Sequence, residues 1–429
     1  MGYGVNLNFR PSTESLPFMD EAPGATLSCE VLVAGAGLAG LIAAIGFERA
    51  GFDVILCGAP EGVGNGRTVA LFDSSIHLLK GLGIWTGVEP QAAPLRGLRI
   101  IDDTGALWSP PPTEFRASEI DLEEFGWNIE NARLVDVLAA AAHAAPGLRM
   151  IESRVAAYDF GVDHAHVRCE NGSTIAAQLI AAADGRGSPA RKAAGIDCSI
   201  RRYPQTALTL ILTHSRTHHD FSTEFHTRAG PFTLVPLPKS PSGIARSSLV
   251  WLMSNPDASR RATLPESMLA GEIEKQSQSM LGKMRIEGRR GVFPIASQSA
   301  AQMTARRLAL IGDAAHVFPP IGAQGLNLGL RDAAYLIEAA GLARIERRDI
   351  GASQTLTHYA DLRRLDVAFR MGAVDALNHS LLASLAPVDF LRGAGLTALA
   401  AIGPLRRFVM REGVSPHLAT PKLMRASSN

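Results

Sequence analysis

Short, mostly apolar runs, each ended by glycine or a polar turn, are the most regular feature of the chain. They occur at 30–34, 54–57, 179–183 and 308–311. Uninterrupted runs of this length are typical of parallel strands that are buried on both faces. A glycine-rich turn and a helical stretch over 41–50 separate the first run from the second, so this part of the chain predicts a βαβ unit.

Other segments alternate between apolar and polar residues. Residues 206–212 and 232–237 do so, which predicts half-exposed strands. Helical stretches are expected at 131–145, 264–282, 326–343 and 355–410. The combination predicts an α/β fold with a discontinuous Rossmann-like domain, an inserted β-sheet domain and a helical C-terminus.

The domain boundaries are expected where the type of strand changes. The predicted units are a flexible N-terminus (1–28), a discontinuous cofactor-binding domain (29–90, 128–195 and 293–350), an inserted substrate domain (91–127 and 196–292) and a helical C-terminal region (351–429).

Composition narrows the class of protein. The 429 residues include 42 Lys and Arg against 41 Asp and Glu, a formal net charge of +1, so we expect no nucleic acid partner. The four scattered cysteines predict neither a metal site nor a disulfide framework and favour a reducing compartment. Residues 1–28 lack an apolar segment of the signal-peptide type, and no uncharged apolar run reaches about 18 residues. We therefore expect a cytoplasmic protein.

The turn after the first run has a glycine pattern with a specific physical meaning. The first glycine allows a tight turn, the second lets the backbone approach a pyrophosphate, and the third lets helix and strand pack closely. The phosphate would bind to free N–H groups at the helix N-terminus. The candidate cofactor residues here are Gly35, Ala36, Gly37, Leu38, Ala39 and Gly40.

One part expected of such a site is absent. An acidic residue ordinarily ends the second strand and binds the adenosine ribose, but this position is Gly58, and Glu61 follows three residues later. A lost charged hydrogen bond costs about 1.5–3 kcal/mol, which would weaken dinucleotide binding roughly ten- to hundredfold. Gly58→Glu is therefore expected to tighten binding.

Two further motifs, taken with the glycine turn, carry a family resemblance. One is Ala183-Asp184-Gly185-Arg-Gly-Ser-Pro-Ala-Arg191, and the other is Gly312-Asp313-Ala-Ala-His316 with the segment 319–332. In this order the three motifs resemble the single-component FAD-dependent aromatic hydroxylases, the p-hydroxybenzoate hydroxylase class. The segments 66–71, 125–134, 374–378, 391–396 and 404–407 are similar to the ubiquinone-biosynthesis hydroxylase subgroup.

The resemblance implies a site for FAD. Its pyrophosphate would lie on the glycine turn, and Arg67 and Arg133 would lie along the cofactor. The backbone at Val155 would contact adenine, Asp184 would support the cofactor and the approach of the nicotinamide donor, and Asp313 would bind the ribityl or phosphate end.

The resemblance also assigns the loop after Pro320 to the flavin ring. Free N–H groups at the start of the following helix would stabilise the negative charge of reduced flavin. The residues expected to face the pyrimidine ring are Gly322, Ala323, Gln324, Gly325, Leu326 and Asn327.

The activity implied by the resemblance is hydroxylation of an aromatic ring of a prenylated phenol or quinone precursor of ubiquinone. NAD(P)H would be a transient reductant, and O₂ would form a flavin C4a-hydroperoxide. No catalytic acid or base is assigned, because the cofactor carries the chemistry. Two alternatives stay open: a monooxygenase acting on a soluble phenolic metabolite, and a non-catalytic member of a quinone-biosynthesis complex, suggested by Gly58.

The C-terminal segment 380–410 mixes apolar residues with arginines, which suits a helix lying on a membrane surface. That would make the protein peripheral on the cytoplasmic membrane face. A helix pair packed on the protein's own core, or on a second subunit of a homo-oligomer, fits the pattern equally well.

Overall fold

The computed structural model describes residues 26–60, 66–105, 110–320, 322–382, 394–395, 397–398, 401–414 and 420–426. Residues 1–25 of the predicted flexible N-terminus lie outside these ranges, whereas residues 26–28 already belong to the first strand. The division into a cofactor domain and a substrate domain stays a prediction.

The described residues form nineteen strands and ten α-helices. The strands are β1 (Thr26–Ala34), β2 (Val54–Cys57), β3 (Thr68–Phe72), β4 (Ala92–Leu95), β5 (Gly97–Asp102), β6 (Thr113–Arg116), β7 (Gly126–Glu130), β8 (Leu148–Ile151), β9 (Val155–Phe160), β10 (Ala165–Cys169), β11 (Thr174–Ala182), β12 (Cys198–His214), β13 (Phe221–Thr227), β14 (Gly230–Leu237), β15 (Ala245–Ser254), β16 (Met284–Ala300), β17 (Thr304–Ala305), β18 (Leu308–Leu310) and β19 (His316–Val317). The helices are α1 (Leu38–Arg49), α2 (Asp73–Gly81), α3 (Trp85–Val88), α4 (Asn131–His143), α5 (Pro189–Ala193), α6 (Asn255–Thr263), α7 (Glu266–Gln276), α8 (Gln324–Ile345), α9 (Ser353–Leu382) and α10 (Gly403–Val414).

The four apolar runs form the centre of one sheet. Its order is β17-β18-β11-β1-β2-β8, and every pair from β18 to β8 is parallel. Val33, which is fully buried, pairs with Ala181 on one side and Leu56 on the other. Helix α1 connects β1 to β2, so the predicted βαβ unit and the α/β fold class are confirmed.

A second sheet has the order β19-β16-β12-β15-β14-β13-β5-β6. Its strand β12 is longer than the alternating segment that predicted it. The helix predicted over 264–282 is wrong in extent, because α6 begins at Asn255 and α7 ends at Gln276. Pro265 separates the two helices, since proline has no N–H with which to continue a helical ladder.

The two faces of this second sheet have different neighbours. Successive side chains in a strand point to opposite faces. Ala207 and Leu252, which pair across β12 and β15, cluster with Phe318 near the start of α8, and we call this side the inner face. Trp251 points the other way and clusters with Leu269 of α7, on what we call the reverse face.

A small third sheet, β3-β7-β4, lies against the second. Thr68 Oγ1 is 2.8 Å from Ser248 Oγ, and Asn128 Nδ2 donates to the carbonyl oxygen of Pro236 at 2.8 Å. Strand β3 follows Arg67 directly, so these bonds fix that arginine relative to the inner face.

Candidate cofactor site

The glycine turn after β1 is packed tightly on one side and open on the other. Gly35 has φ +109°, and a Cβ on it would lie 2.7 Å from the carbonyl carbon of Ala183. A Cβ on Gly40 would collide with the carbonyl oxygen of Gly35, whereas a Cβ on Gly37 would meet nothing within 4 Å. The open side at Gly37 leaves room for a ligand to touch the backbone.

Helix α1 begins without a side-chain cap. Gly37 is the N-cap, and the amide of Leu41 donates to its carbonyl at 2.9 Å. The amides of Leu38, Ala39 and Gly40 therefore have no acceptor within the helix. Such amides, at the positive end of the helix dipole, fit the oxygens of a pyrophosphate.

Gly58, at the end of β2, lies directly behind this turn. Its φ is +131°, and a Cβ there would lie 2.9 Å from the amide nitrogen of Ala36. An acidic side chain could enter only if this left-handed backbone changed conformation. The expectation that Gly58→Glu would tighten binding therefore does not hold for this backbone, and Glu61 lies outside the described residues.

Val155 starts β9 beside the same strand end. It pairs with Cys169, whose Sγ is 3.7 Å from the Sγ of Cys57, and all three residues are buried. The backbone of this region is held to β2 by the amide of Gly58, which donates to the carbonyl of Ile151 at 2.9 Å. The contact of Val155 with adenine stays a prediction.

Three charged side chains from separate parts of the chain meet beside the glycine turn. The Arg67 guanidinium lies 5.2 Å from the ring centre of Phe293 on the inner face, and Arg186 Nε is 3.4 Å from Asp313 Oδ2. Burial lowers the pKa of Arg67, and Arg186 lowers it further, while Asp313 opposes the shift. Arg186 was missed as a site residue, although it follows the Asp184-Gly185 pair directly.

Asp184 has a structural partner. Its Oδ2 accepts a hydrogen bond from the amide of Ala190 at 2.9 Å, which holds the start of α5. Burial raises the pKa of Asp184, against hydrogen bonds that lower it. The buried Arg191 donates to the carbonyls of Ala314 at 2.5 Å and Arg186 at 2.8 Å, so this turn is tied to the turn that contains Asp313.

Arg133 is exposed in the first turn of α4 and has no hydrogen bond or ion pair with the other candidate residues that the structure describes. Only the backbone links it to them, since the amide of Asn131 donates to the carbonyl of Arg67 at 3.1 Å. The role of Arg133 along the cofactor stays a prediction.

The loop that leads into α8 ends at a second helix N-terminus without a side-chain cap. Gly322 and Ala323 have φ of +66° and +52°, and α8 begins at Gln324 with no side-chain cap. A Cβ on Gly322 or Gly325 would meet nothing within 4 Å. Like the first turn, this one presents amides and empty space on the same side, which fits the carbonyl edge of a flavin ring.

Asn327 holds the loop before α8 in place through four hydrogen bonds of its side-chain amide. Its Nδ2 donates to the carbonyls of Ala70 and Ala323, both at 2.8 Å, and its Oδ1 accepts from the Phe72 amide at 2.9 Å and the Ser75 hydroxyl at 2.7 Å. The side chain is 2% exposed and fully used in joining α8 to β3 and α2, and the contact of this residue with the flavin ring stays a prediction.

Asp332, five residues further along α8, is fully buried and holds the Gly312-Asp313 turn. Its Oδ2 accepts from the Gly312 amide at 2.9 Å and lies 2.7 Å from His316 Nε2. Its Oδ1 accepts from Arg363 at 2.7 Å. Burial alone would raise the pKa of Asp332, but His316 and Arg363 hold it below its usual value.

Asp366 extends this hydrogen-bond network to the loop before α8. It accepts from Arg331 at 2.8 Å, Arg363 at 2.6 Å and Arg370 at 2.9 Å, and these arginines hold its pKa low against the effect of burial. Arg370 also donates to Gln324 Oε1 at 2.6 Å. The spacing of 363, 366 and 370 on one helix could have indicated a shared face, but nothing in it points to Gln324.

The first turn of α1 and the second turn of α8 both contact the Gly312-Asp313 turn. A Cβ on Gly312 would lie 3.3 Å from the Cβ of Ala39, and a Cβ on Gly329 would lie 3.1 Å from the Cα of Gly312. Helices α1 and α8 therefore cross over this turn, and one elongated ligand can reach both. Open backbone at each end and charged groups between them define the class of site: one that fits an extended dinucleotide.

Comparisons with known proteins identify the family. Residues 28–371 match the family described as FAD binding domain. The chain is 31% identical over 392 residues to ubiquinone hydroxylase UbiL of Rhodospirillum rubrum, covering 90% of this chain and 89% of that protein. It therefore belongs to the FAD-binding family of flavin-dependent monooxygenases, in the group that includes this ubiquinone hydroxylase.

Two further comparisons are consistent with this family. The 3-demethoxyubiquinol 3-hydroxylase of Escherichia coli is 29% identical over 392 residues, covering 89% of this chain and 97% of that protein. The crystal structure of p-nitrophenol 4-monooxygenase PnpA from Pseudomonas putida superposes with a TM-score of 0.74 over 94% of this chain and 100% of that chain. At 18% identity the second likeness shows the fold alone.

Proposed function

We propose that this chain hydroxylates an aromatic ring of a ubiquinone precursor, with NAD(P)H as reductant and O₂ as oxidant. The observation that carries the proposal is that the Gly312-Asp313 turn contacts the first turn of α1 and the second turn of α8, two helices that both begin without a side-chain cap. The names of the relatives, ubiquinone hydroxylase and 3-demethoxyubiquinol 3-hydroxylase, supply the substrate class.

Different candidate residues bind different parts of FAD. The amides at 37–40 bind the pyrophosphate, Arg67 adds positive charge, and the exposed carboxylate of Asp313 accepts hydrogen bonds from ribityl hydroxyls. The start of α8 receives the pyrimidine edge and stabilises negative charge there. Bound FAD supplies O₂ activation and transfer of one oxygen atom.

The inner face of the second sheet is the proposed wall for the aromatic ring. Thr209, Val250 and Thr233 pair across β12, β15 and β14, and Val250 and Thr233 are only half-buried in the middle of the sheet. Phe293, beneath Arg67, belongs to the same face through its pairing with Ala207. A mostly apolar wall with single hydroxyls suits a prenylated phenol or quinone.

We also propose that the protein contacts a membrane surface. Leu365 and Phe369 of α9 and Phe408 of α10 are 75, 75 and 63% exposed, and Arg407 and Arg411 lie close to Phe408 in sequence. Exposed apolar residues flanked by arginines suit an anionic bilayer, in which prenylated substrates dissolve. No helix in the described part of the chain is long and apolar enough to cross a bilayer, and residues 383–393 of the predicted interfacial segment lie outside that part.

Two experiments test the enzymatic proposal. Purified protein should acquire the absorbance of oxidised flavin near ~450 nm when FAD is added. Deletion of the gene should then cause a quinone precursor that lacks one ring hydroxyl to accumulate, as measured by mass spectrometry. Unchanged quinones in the deletion strain would favour a soluble phenolic substrate, and protein that stays colourless with FAD would favour the non-catalytic alternative.

Co-sedimentation with anionic lipid vesicles tests the membrane contact. The double variant Phe369→Ser, Phe408→Ser should lose most vesicle binding. Val162→Ser is the matched control, because Val162 is 73% exposed in the turn between β9 and β10. Equal binding of both variants would contradict the proposal.

A further inference from the structure

A cavity of about 710 Å³ lies on the reverse face of the second sheet, away from the candidate cofactor site. Its floor includes Leu234 of β14 and Thr223 of β13, which pair with each other. Leu234 also pairs with Leu249, which belongs to the cluster beneath α6 and α7. The sheet itself therefore separates this cavity from the inner face, where Phe293 and Arg67 lie.

The size and apolar lining of the cavity fit a small organic molecule. Binding sites for such ligands ordinarily measure roughly 300–1,000 Å³ and combine apolar walls with a few polar groups. Here Leu234, Met280 and Leu281 supply apolar surface. Met280 and Leu281 lie between α7 and β16, so the cavity opens where the helical cover of the sheet ends.

Positive charge is concentrated at the cavity. Arg99 and Arg116 lie 5.4 and 4.8 Å from the ring centre of Phe221 and share the carboxylate of Glu114 at 2.7 and 2.9 Å. Arg216 donates to the carbonyl of Ser279 at 3.3 Å and has no carboxylate partner among the described residues. Three guanidinium groups therefore lie at the cavity, where two of them bind the Glu114 carboxylate and the Asp220 carboxylate lies close to His218.

The remaining polar groups of the cavity are compatible with an anion. His218 Nδ1 accepts a hydrogen bond from the Asp220 amide at 3.0 Å, and burial lowers the pKa of this histidine, although the Asp220 carboxylate, 3.7 Å from the same nitrogen, opposes the shift. Thr223 is 7% exposed, and its hydroxyl has no hydrogen-bond partner among the described residues. Because Thr223 lines the cavity, its hydroxyl is available there to a ligand oxygen.

We propose that this cavity binds a small organic acid, with its carboxylate at Arg216 and Thr223 and its apolar body against Leu234, Met280 and Leu281. A guanidinium is planar and matches a carboxylate with two parallel hydrogen bonds, which favours a carboxylate over a neutral molecule of the same shape. The site is independent of the proposed oxygenase activity, because it lies on the other side of the sheet.

Calorimetric titration of the FAD-saturated protein tests the proposal. The probe is 1-naphthoate, and 1-naphthylmethanol is its uncharged counterpart. We expect one naphthoate per chain and binding of naphthylmethanol about tenfold weaker or worse, because the charged hydrogen bonds are lost. Saturation with FAD keeps the probe out of the cofactor site.

Variants locate the binding. Arg216→Gln should weaken naphthoate binding about tenfold, and Thr223→Val, which removes only the hydroxyl, should weaken it about threefold. The matched control is Arg168→Gln, which removes one exposed positive charge from β10. Its affinity should stay within about twofold of the unmodified protein. Equal affinity of the Arg216→Gln variant and the unmodified protein, or equal binding of acid and alcohol, would overturn the proposal.

Discussion

The two helix starts that frame the candidate FAD site have the same form but are held in place differently. The turn before α1 is fixed by backbone contacts among glycines and its neighbouring strands. The loop before α8 is fixed by side chains: Asn327 ties it to β3 and α2, and Gln324 is held by Arg370 of α9. The first start is therefore held by backbone packing, and the second depends on the side chains of residues far away in the chain.

This difference predicts different consequences of mutation. A side chain added to the first turn should act through collision, with little dependence on pH. A change around the second start should act through buried charges and hydrogen bonds, and its cost should depend on pH. The variants below test this contrast, from the largest expected effect to the smallest.

Gly40→Ala should have the largest effect. Its Cβ would collide with the carbonyl oxygen of Gly35, and both groups are backbone, so neither can move aside. We expect a loss of at least about 5 kcal/mol in the free energy of unfolding, or failure to fold, measured by urea denaturation. Gly37→Ala is the control: the space there is open, so the protein should remain stable and instead bind FAD more weakly. Equal stability of the two variants would contradict the contrast.

The same contrast explains how far the sequence could predict the site. The glycine turn could be predicted from the sequence, because three glycines at fixed spacing indicate its backbone geometry directly. The role of Asn327 is not, because its partners Ala70, Phe72 and Ser75 lie about 250 residues earlier, and only folding brings them together. The sequence was also misleading at Gly58, which suggested that a ribose-binding acid had been lost. Its backbone conformation and its contact with Ala36 show instead that this position is adapted to glycine.

Arg363→Met should have the next largest effect. Arg363 is fully buried and donates to both Asp332 and Asp366, so its removal leaves two buried carboxylates with fewer partners. Breaking a buried ion pair in this way costs about 3–5 kcal/mol. Arg364→Met, at the neighbouring exposed position, should change unfolding by less than about 0.5 kcal/mol. Similar losses in both variants would show that the network does not carry this stability.

The network also sets the acid stability of the protein. The pKa values of Asp332 and Asp366 are held below those of an unfolded chain, so their contribution is fully present above about pH 4 and is lost as pH falls through the lower folded values. Stability to urea should therefore decrease below about pH 4. Asp366→Asn should make this decrease shallower, and an unchanged slope would contradict the assignment.

Asn327→Ala should cost about 2–4 kcal/mol, because it removes the Asn327 partner of the half-buried amide of Phe72 and of the buried carbonyl of Ala70. It should also raise the dissociation constant of FAD, since the loop before α8 loses its anchor. Fluorescence titration of released flavin measures this. Asn327→Asp keeps the acceptor for Phe72 and Ser75, so it should retain more of both properties than Asn327→Ala. Equal losses in the two variants would contradict this assignment.

Gln324→Leu should have the smallest effect on stability and the most specific effect on the site. Gln324 sits partly exposed at the first residue of α8, so losing its bond to Arg370 should cost only about 1 kcal/mol. The helix start should nevertheless become free to shift against the flavin ring, which would displace the absorbance maximum of bound FAD. Gln324→Glu restores an acceptor for Arg370 and should recover the position of the maximum. A normal spectrum in Gln324→Leu would show that the backbone alone positions the second helix start, as it does the first.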